Sequence, residues 1–285
     1  MKDDVKRIVV KIGGSVITDK DDPYFPTDIE EIIINSDTYA KKENIKKISN
    51  AIANASAANC LELFILNGAG AFGHTLFKKY VDGDKSIRSA LVHDSLKYLN
   101  SLVVDSLIEA GIPCRSVHPH NNCFYNGNYD VSGLVQKVAK YIDDGITPSS
   151  YGDIIPTVDC KGMYADRWQI ISADDLAVLT AEKLSADIIM VSATPGVYTK
   201  KPEIAPIIEV DHVLSEEEFP KFLESKGITL YQDNSIDLTG KMYKKLFELC
   251  NAAARKINSQ VCGIDDLKKA LSGEHVGTLI RYKNS

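Results

Sequence analysis

The chain has 285 residues and a mass of 31.3 kDa, enough for one large domain or two small ones with a core that needs no disulfides. Hydrophobic residues make up 44% and charged residues 25% of it, a globular composition that excludes disordered, collagen-like and coiled-coil chains. The formal charge of −6 predicts no general nucleic-acid-binding surface, and no apolar run approaches the roughly 18 residues of a membrane-spanning helix. We therefore expect neither nucleic acid nor a membrane as a partner.

The six cysteines carry no metal-binding or disulfide pattern. None forms a CxxC pair, and their spacing matches no zinc site. Such scattered thiols are typical of reduced, mostly buried cysteines in a cytoplasmic protein. We accordingly predict a cytoplasmic location and no metal held by side chains of the protein.

Apolar runs and helical periodicities alternate from end to end. The predicted elements, in chain order, are a strand over 7–12, a helix over 45–58, a strand over 61–66, a helix over 86–110, a strand over 112–117, a helix over 134–144, a strand over 152–157, a hairpin tip over 161–167, a helix over 173–184, a strand over 188–192, a helix over 241–256, a strand near Val261, a helix over 267–271 and a strand over 277–281. This order predicts an α/β fold with a mostly parallel sheet covered on both faces, in which ligands bind beyond the carboxyl ends of the strands.

Two segments break the alternation. Residues 21–43 contain Pro23 and Pro26 among several charges, and we expect a surface insertion or lid there. Residues 200–220 contain three prolines and an acidic run over 216–218, which predicts a solvated loop and the start of a helix.

A glycine turn follows the first predicted strand. Gly13, Gly14 and Ser15 come directly after a strand that carries Lys11 near its end. Glycine lets the backbone approach a ligand closely, and exposed amides at such a turn can cradle phosphate oxygens. A tight strand exit without a ligand explains the same residues equally well.

A second turn, after the strand over 61–66, holds Gly68, Gly70 and Gly73 and is followed by His74. It lacks the acidic residue about 20 positions later that a dinucleotide site requires, and it is not a P-loop. We expect His74 at a helix N-terminus, where it can donate a hydrogen bond to a bound anion. Local capping or packing of this histidine is the alternative.

A third glycine turn opens the last long helix. Thr239 is a suitable N-cap, and lysines follow at once in the first turns, where the helix dipole disfavours cations. Their placement suggests an anionic ligand, and a solvated lysine face is the alternative. These lysines are Lys241, Lys244 and Lys245.

Six ordered segments carry a family resemblance. They are KIGGSVITDK (11–20), GAGAFGHTLFKKY (68–80), GDIIP (152–156), ISADD (171–175), NSIDLTGKMYKK (234–245) and LSGEHVGTLI (271–280). Together they resemble the amino acid kinase superfamily, and most nearly its isopentenyl phosphate kinase family; His74 is also similar to the histidine of fosfomycin kinases. The resemblance implies a single domain over 1–285 folded as an open αβα sandwich, with the acceptor bound by 1–160 and ATP by 161–285.

The resemblance also implies roles for individual residues. Lys11 and Lys20 would contact the transferred phosphoryl group, Asp174 would organise the lysines, and His74 would hydrogen-bond the acceptor's phosphate. The other implied contacts are Gly68, Ala69, Gly73 and Ala173 for the acceptor, and Gly13, Gly14, Ser15, Gly196, Gly240, Lys241 and Lys245 for the nucleotide. Mg²⁺ would arrive on the phosphates of ATP, without a named protein ligand.

The implied chemistry fits these residue types. A phosphate monoester already carries an ionised oxygen near neutral pH, so the acceptor needs no general base. Positioning and charge neutralisation by lysines and glycine amides are then sufficient for catalysis. We expect the tail of the acceptor to lie against the helix over 86–110.

Several positions depart from the family pattern. Alanine replaces glycine at Ala69 and Ala173, which narrows the acceptor side. The nucleotide-side segment over 192–197 lacks two acidic residues and contains Pro195, which has no amide to donate, and Lys241 replaces a glycine. These changes predict an altered nucleotide pocket.

Three functions remain open at the level of the sequence. The first is a kinase that converts isopentenyl phosphate and ATP into isopentenyl diphosphate and ADP. The second is a kinase for another phosphate or phosphonate acceptor, such as fosfomycin. The third is a catalytically weak homologue that binds nucleotide or phosphate. The resemblance also allows a homodimer.

Overall fold

The computed structural model describes residues 5–19, 26, 28–79, 84–159, 163–200, 203–228 and 238–283. The strands are β1 (Lys6–Ile12), β2 (Leu61–Asn67), β3 (Cys114–Ser116), β4 (Phe124–Tyr125), β5 (Tyr129–Asp130), β6 (Thr147–Tyr151), β7 (Asp153–Val158), β8 (Tyr164–Ile171), β9 (Asp187–Val191), β10 (Tyr198–Lys200), β11 (Glu203–Ile204), β12 (Ile207–Val210), β13 (Ser259–Cys262) and β14 (Thr278–Tyr282). The helices are α1 (Gly14–Ile17), α2 (Ile29–Ile34), α3 (Ser36–Tyr39), α4 (Lys42–Ala58), α5 (Gly70–Lys79), α6 (Lys85–Glu109), α7 (Ser132–Asp143), α8 (Ala173–Leu184), α9 (Phe219–Ser225), α10 (Leu238–Ala254) and α11 (Leu267–Leu271), with 3-10 turns at Pro119–Asn121 and Ile264–Asp266.

An eight-stranded sheet forms the middle of the molecule. Its strand order is β12-β14-β13-β9-β1-β2-β6-β3. The strands from β13 to β3 are parallel to their neighbours, whereas β14 is antiparallel to β13 and parallel to β12. The predicted mostly parallel sheet is therefore confirmed, and the carboxyl ends of β9, β1, β2, β6 and β3 lie along one edge.

Helices cover both faces of this sheet, which makes it an open αβα sandwich. Successive residues of β1 alternate between two separate hydrophobic cores, with Val9 in one and Ile8 and Val10 in the other. The Val9 core includes buried residues of α7, α8 and α10, and the other includes those of α4, α5, α6 and α11. None of the described helices is both long and apolar enough to cross a bilayer.

The strand predicted over 152–157 belongs to a different sheet. Residues Asp153–Val158 form β7 in a four-stranded sheet of order β5-β4-β7-β8. The hairpin tip predicted over 161–167 is wrong for residues 164–167, which begin β8 and pair with β7, and residues 160–162 lie outside the described part of the chain. The main-sheet strand is instead β6, whose sequence TPSSY has no apolar run and so carries no strand pattern. The chain changes sheet at Gly152.

The two irregular segments are more ordered than expected in their described parts. In the first, Ile32 of α2 and Tyr39 of α3 lie in a hydrophobic core, so these helices are not a surface insertion, and residues 21–25 and 27 lie outside the described part of the chain. In the second, β10 and β11 form a short hairpin, and β12 pairs with β14 in the main sheet. Burial of Ile208 and Val210 explains why β12 forms despite the neighbouring prolines.

Candidate active site

The first two glycine turns touch each other at the carboxyl ends of β1 and β2. A Cβ atom on Gly14 would lie 2.3 Å from the backbone nitrogen of Gly70, and one on Gly68 would lie 2.7 Å from that of Gly14. Gly70 also has a φ of +53°, which favours glycine. Only residues without a side chain permit this contact, so the glycines bring two helix starts into one place.

This junction presents unpaired amides. Among the described residues, the backbone nitrogens of Gly14, Ser15, Ala69 and Gly70 donate to no protein acceptor. Converging amides at helix starts bind anions, because they carry the positive end of the helix dipole. The resemblance implied that the amides of Gly68 and Gly73 also hold the acceptor's phosphate, but the Gly68 amide donates to the Ile12 carbonyl at 2.8 Å and the Gly73 amide to the Ala69 carbonyl at 3.3 Å. The Gly13 amide is likewise taken by Val191, at 2.9 Å.

Thr18 ties the two turns together. Its hydroxyl donates to the Gly14 carbonyl at 2.9 Å and accepts from the Ala71 amide at 3.0 Å. The residue is fully buried. No sequence pattern marks a single threonine as such a link, so only the fold identifies it.

A buried ion pair stands beside the junction. The ammonium of Lys11, in β1, lies 2.7 Å from a carboxylate oxygen of Asp174, in the first turn of α8. The Lys11 side chain is 2% exposed and that of Asp174 is 24% exposed. The structure thus brings together these two predicted residues from distant parts of the sequence.

Asp174 is held as an anion by several cations. Burial alone would raise the pKa of its carboxyl group. The charges of Lys11 and Lys245, the hydrogen bond from Lys11 and the charge of Lys244 outweigh burial and lower this pKa below its ordinary value. Lys245, predicted for the nucleotide phosphates, is therefore electrostatically linked to the same centre.

The start of α8 is fixed by its own sequence. Ser172 and Asp175 form a capping box, in which the Ser172 hydroxyl accepts from the Asp175 amide at 3.0 Å. Lys244 of α10 lies 3.4 Å from the Asp175 carboxylate. A Cβ atom on Gly152 would lie 2.8 Å from the Ala173 nitrogen. Gly152, where the chain passes from β6 to β7, therefore lies against the start of α8. Ala173 itself is buried.

His74 lies on α5 with its side chain exposed. Because α5 begins at Gly70, His74 occupies the second turn, and the predicted position at the helix N-terminus is wrong by about one turn. A Cβ atom on Gly73 would lie 2.6 Å from the Ala69 Cβ and 3.2 Å from a methyl carbon of Leu96 in α6. The missing side chain of Gly73 thus leaves room for the Ala69 methyl group and for Leu96, which lets α5 lie close to α6.

The turn after β9, which the resemblance assigns to the nucleotide, is held by hydrogen bonds within itself and to β14. The Thr194 hydroxyl donates to the Gly196 carbonyl at 2.9 Å, and the Val197 amide donates to the Thr278 hydroxyl at 2.8 Å. A Cβ atom on Gly196 would lie 2.5 Å from a methyl carbon of Ile204, so close packing explains why glycine occupies this position. Lys20 lies outside the described residues, and Gly240 and Lys241 are described only as backbone in the first turn of α10.

The arrangement is suited to phosphoryl transfer. Amides converge at the junction of two glycine turns, and a buried lysine held by a carboxylate lies at the same strand ends. Fixed donors and cations of this kind stabilise the negative charge of a transferring phosphoryl group without having to reorganise. No group of three or more metal-ligating side chains occurs among the described residues.

Comparisons with known proteins agree with this geometry. Residues 6–263 match the amino acid kinase family model. The chain is 30% identical to the isopentenyl phosphate kinase of Methanothermobacter thermautotrophicus, over 97% of this chain and 100% of that protein. It is 26% identical to the isopentenyl phosphate kinase of Methanocaldococcus jannaschii, over 96% and 98%. A solved isopentenyl phosphate kinase structure, 24% identical, superposes with a TM-score of 0.68 over 96% of this chain and 99% of that one. By these matches and by its site, the chain belongs to the amino acid kinase family.

Proposed function

We propose that this protein transfers the γ-phosphoryl group of ATP to isopentenyl phosphate, giving isopentenyl diphosphate and ADP. The observation that carries the proposal is the buried Lys11–Asp174 pair beside the joined glycine turns. Its family membership supports a phosphotransferase, and full-length relatives named isopentenyl phosphate kinase support the acceptor.

In the proposed reaction, an anionic oxygen of the acceptor attacks the γ-phosphorus of ATP as the bond to the β-phosphate oxygen breaks. The amides of Gly14, Ser15, Ala69 and Gly70 would bind phosphate oxygens at the junction. Lys11 would neutralise charge on the transferring group, and Asp174 would keep the Lys11 ammonium in place.

The remaining site residues extend this proposal. His74 would hydrogen-bond the acceptor's phosphate, and Lys20 would contact the transferred phosphoryl group. Lys245, Gly240 and Lys241 would contact the nucleotide phosphates. Gly196 would shape the nucleotide side. The amide-lined junction, which a Cβ atom on Gly14 would fill, suits the oxygens of an ATP–Mg²⁺ complex, and the ion would be held mainly by those phosphates.

Other predictions belong to the same proposal. We assign acceptor binding to residues 1–160 and nucleotide binding to residues 161–285 of a single domain. A cytoplasmic location is supported by the five described cysteines, all of which are free. A homodimer remains a prediction from family resemblance, and sedimentation equilibrium would test it.

The direct test is phosphoryl transfer from ATP–Mg²⁺ to isopentenyl phosphate, with fosfomycin as the competing acceptor. We expect turnover of isopentenyl phosphate and a loss of about a hundredfold in kcat for Lys11→Ala, because the charge that stabilises the transition state is removed. Lys140→Ala, which removes an exposed lysine of α7, is the matched control. Transfer only to fosfomycin would overturn the acceptor, and no transfer by folded protein would favour a binding-only homologue.

A further inference from the structure

A cluster of imidazole rings and one carboxylate lies beyond the carboxyl ends of β3 and β6. His93 comes from α6, His120 from the 3-10 turn after β3, and Asp153 from the first position of β7. The ring centroids of His93 and His120 are 4.6 Å apart, and His120 stacks on Trp168 of β8 at 5.2 Å. Neither the glycine turns nor the Lys11 pair includes any of these residues.

Asp153 is the fixed centre of this cluster. Its carboxylate is fully buried and accepts from His93 Nδ1 at 2.9 Å and from the Ile154 amide at 2.8 Å. It also accepts from the His120 amide at 3.2 Å. A buried carboxylate with this many donors is satisfied, so it holds its neighbours in one arrangement.

Both imidazoles are oriented with one nitrogen facing inward. His93 donates from Nδ1 to the Asp153 carboxylate, and His120 donates from Nδ1 to the Ile154 carbonyl at 2.8 Å. Among the described residues, the Nε2 atoms of both rings have no hydrogen-bond partner. The His93 side chain is 19% exposed, so the pair borders on solvent rather than closing a dry core.

The cluster adjoins the place proposed for the acceptor's phosphate. His93 lies one helical turn before Leu96, whose methyl carbon would be 3.2 Å from a Cβ atom on Gly73. Asp153 follows Gly152, which abuts the Ala173 turn. In the main sheet β6 and β3 succeed β2, so the cluster lies at the same edge of the sheet as the second glycine turn.

We propose that His93 and His120 form a polar end to the acceptor pocket, and that the protein phosphorylates a short-chain phosphate monoester whose far end bears a hydroxyl group. The proposal rests on the proposed function, because the phosphate of this ester would occupy the same glycine turns and accept the same γ-phosphoryl group from ATP. The Nε2 atoms of the two histidines would bind the hydroxyl.

A hydroxyl group fits these atoms better than an ion or a hydrocarbon. A neutral imidazole held by an Nδ1 donor bond presents Nε2 as an acceptor, whereas a protonated one presents an N–H donor. A hydroxyl can donate to the first and accept from the second. A purely apolar tail would leave Nε2 unpaired when it displaced water, which is unfavourable.

The test compares isopentenyl phosphate with 3-hydroxy-3-methylbutyl phosphate, which has the same carbon skeleton with water added across the double bond. We expect the hydroxylated ester to bind about tenfold more tightly by calorimetry and to show a correspondingly higher kcat/KM. His93→Asn should abolish this preference mainly through KM, because the asparagine amide can still donate to Asp153 but has no atom at the Nε2 position.

In His120→Asn the asparagine amide can still donate to the Ile154 carbonyl but has no atom at the Nε2 position. This variant tests the proposal if His93→Asn does not fold. His212→Asn, at an exposed histidine paired with Asp211, is the matched control. An unchanged preference in both variants, or wild-type preference for isopentenyl phosphate, would overturn the proposal. If isopentenyl phosphate is not phosphorylated, the proposed function fails, and the calorimetric preference and its loss in His93→Asn still decide the role of the imidazoles. Binding of neither ester overturns both.

Discussion

Lys11 is a costly residue for the fold to contain. A lysine that is 2% exposed loses most of its hydration, and a buried ion pair often stabilises a protein no more than apolar residues of similar size would. Stability therefore gives no reason to place Lys11 and Asp174 at the carboxyl ends of the central strands. The proposed stabilisation of charge during phosphoryl transfer does give a reason for this placement. It requires the Lys11 ammonium to be shielded from water, fixed in position and next to the amide-lined junction.

The lowered pKa of Asp174 predicts a pH-dependent contribution to stability. Because this pKa is lower in the folded than in the unfolded chain, the contribution is present above about pH 4 and disappears as the pH falls through the folded value. Asp174→Asn should reduce the free energy of unfolding by about 3 kcal/mol at pH 7, since Lys11 stays buried without its partner.

Urea unfolding between pH 7 and pH 3 measures this effect. The difference between wild type and Asp174→Asn should begin to shrink below about pH 4, where the carboxyl group of the unfolded chain becomes protonated while that of the folded chain is still ionised. A difference that stays constant over this pH range would show that the ion pair does not produce it.

At the scale of elements, α1 and α5 would form the proposed anion site by backbone contact rather than by side chains. Each helix follows a parallel strand, so both begin at the same edge of the sheet. The contact between Gly14 and Gly70 then decides how closely the two sets of amides converge. A small displacement of one turn would separate donors that must act on the same phosphate oxygens.

Gly14→Ala tests this contact. Its Cβ atom would lie 2.3 Å from the Gly70 nitrogen, so the turns must separate, and we expect a loss of about a hundredfold in kcat/KM. Gly263→Ala is the matched control, because its Cβ atom would be 3.5 Å from Pro195, an ordinary contact. Steady-state kinetics that show equal effects in the two variants would contradict the proposed importance of the junction.

The hydrogen bonds of Thr18 lead to a prediction about the same two elements. Thr18→Val keeps the side-chain shape but leaves the Ala71 amide without its acceptor, which should cost about 1–3 kcal/mol of unfolding free energy. Thr180→Val, which removes a buried hydroxyl that bonds within α8, should cost under about 1 kcal/mol. Chemical denaturation compares them, and equal losses would argue against a special link between the turns.

At the scale of the whole molecule, a buried polar network fastens α6 to the sheet. The Asn100 amide nitrogen donates to Asn67 at 2.8 Å and lies 2.9 Å from the Ser149 hydroxyl, while its oxygen accepts from Ser116 at 2.6 Å. These three partners lie in β2, β6 and β3. One side chain therefore fixes α6 against three adjacent strands.

Asn100→Ala should strongly destabilise the protein. It removes one buried side chain and leaves polar groups on three strands without partners, for which we expect a loss of about 3 kcal/mol. Thermal and urea unfolding measure this loss. Acceptor affinity should fall more than ATP affinity, because the strands involved lie within residues 1–160, the proposed acceptor-binding part; an equal fall in both would contradict that proposal.

Local patterns explain which parts of the fold were predictable. The helix α4 was predictable because Ile45, Ile48 and Ile52 recur at helical spacing and face one core. The strand β6 was not, because its Pro148 and two serines show no apolar run and its burial depends on Asn100, far away in the sequence. This segment becomes a strand because it pairs with neighbouring strands, and a short stretch of sequence does not show that pairing.

Local patterns likewise predicted some features of the site and not others. Glycines after buried strands indicated both turns, since backbone approach requires them in any fold of this class. The contact between Lys11 and Asp174 was implied only by family resemblance, because nothing in either local pattern specifies the other. The cluster at Asp153 was not predicted at all, since its two histidines and its aspartate come from three separate elements.

The central position of β1 also affects how the protein can be made. Arg7 lies opposite Glu62 of β2, but on the other side Ile8 lies opposite Asp187 of β9. On the ribosome β1 can therefore pair early with β2, while its second edge stays open until β9 has been synthesised. An open, apolar edge can pair with other chains, so slow or interrupted translation before β9 should promote aggregation. Because Asp174 shortly precedes β9, catalytic competence would appear only late in synthesis, together with closure of that edge.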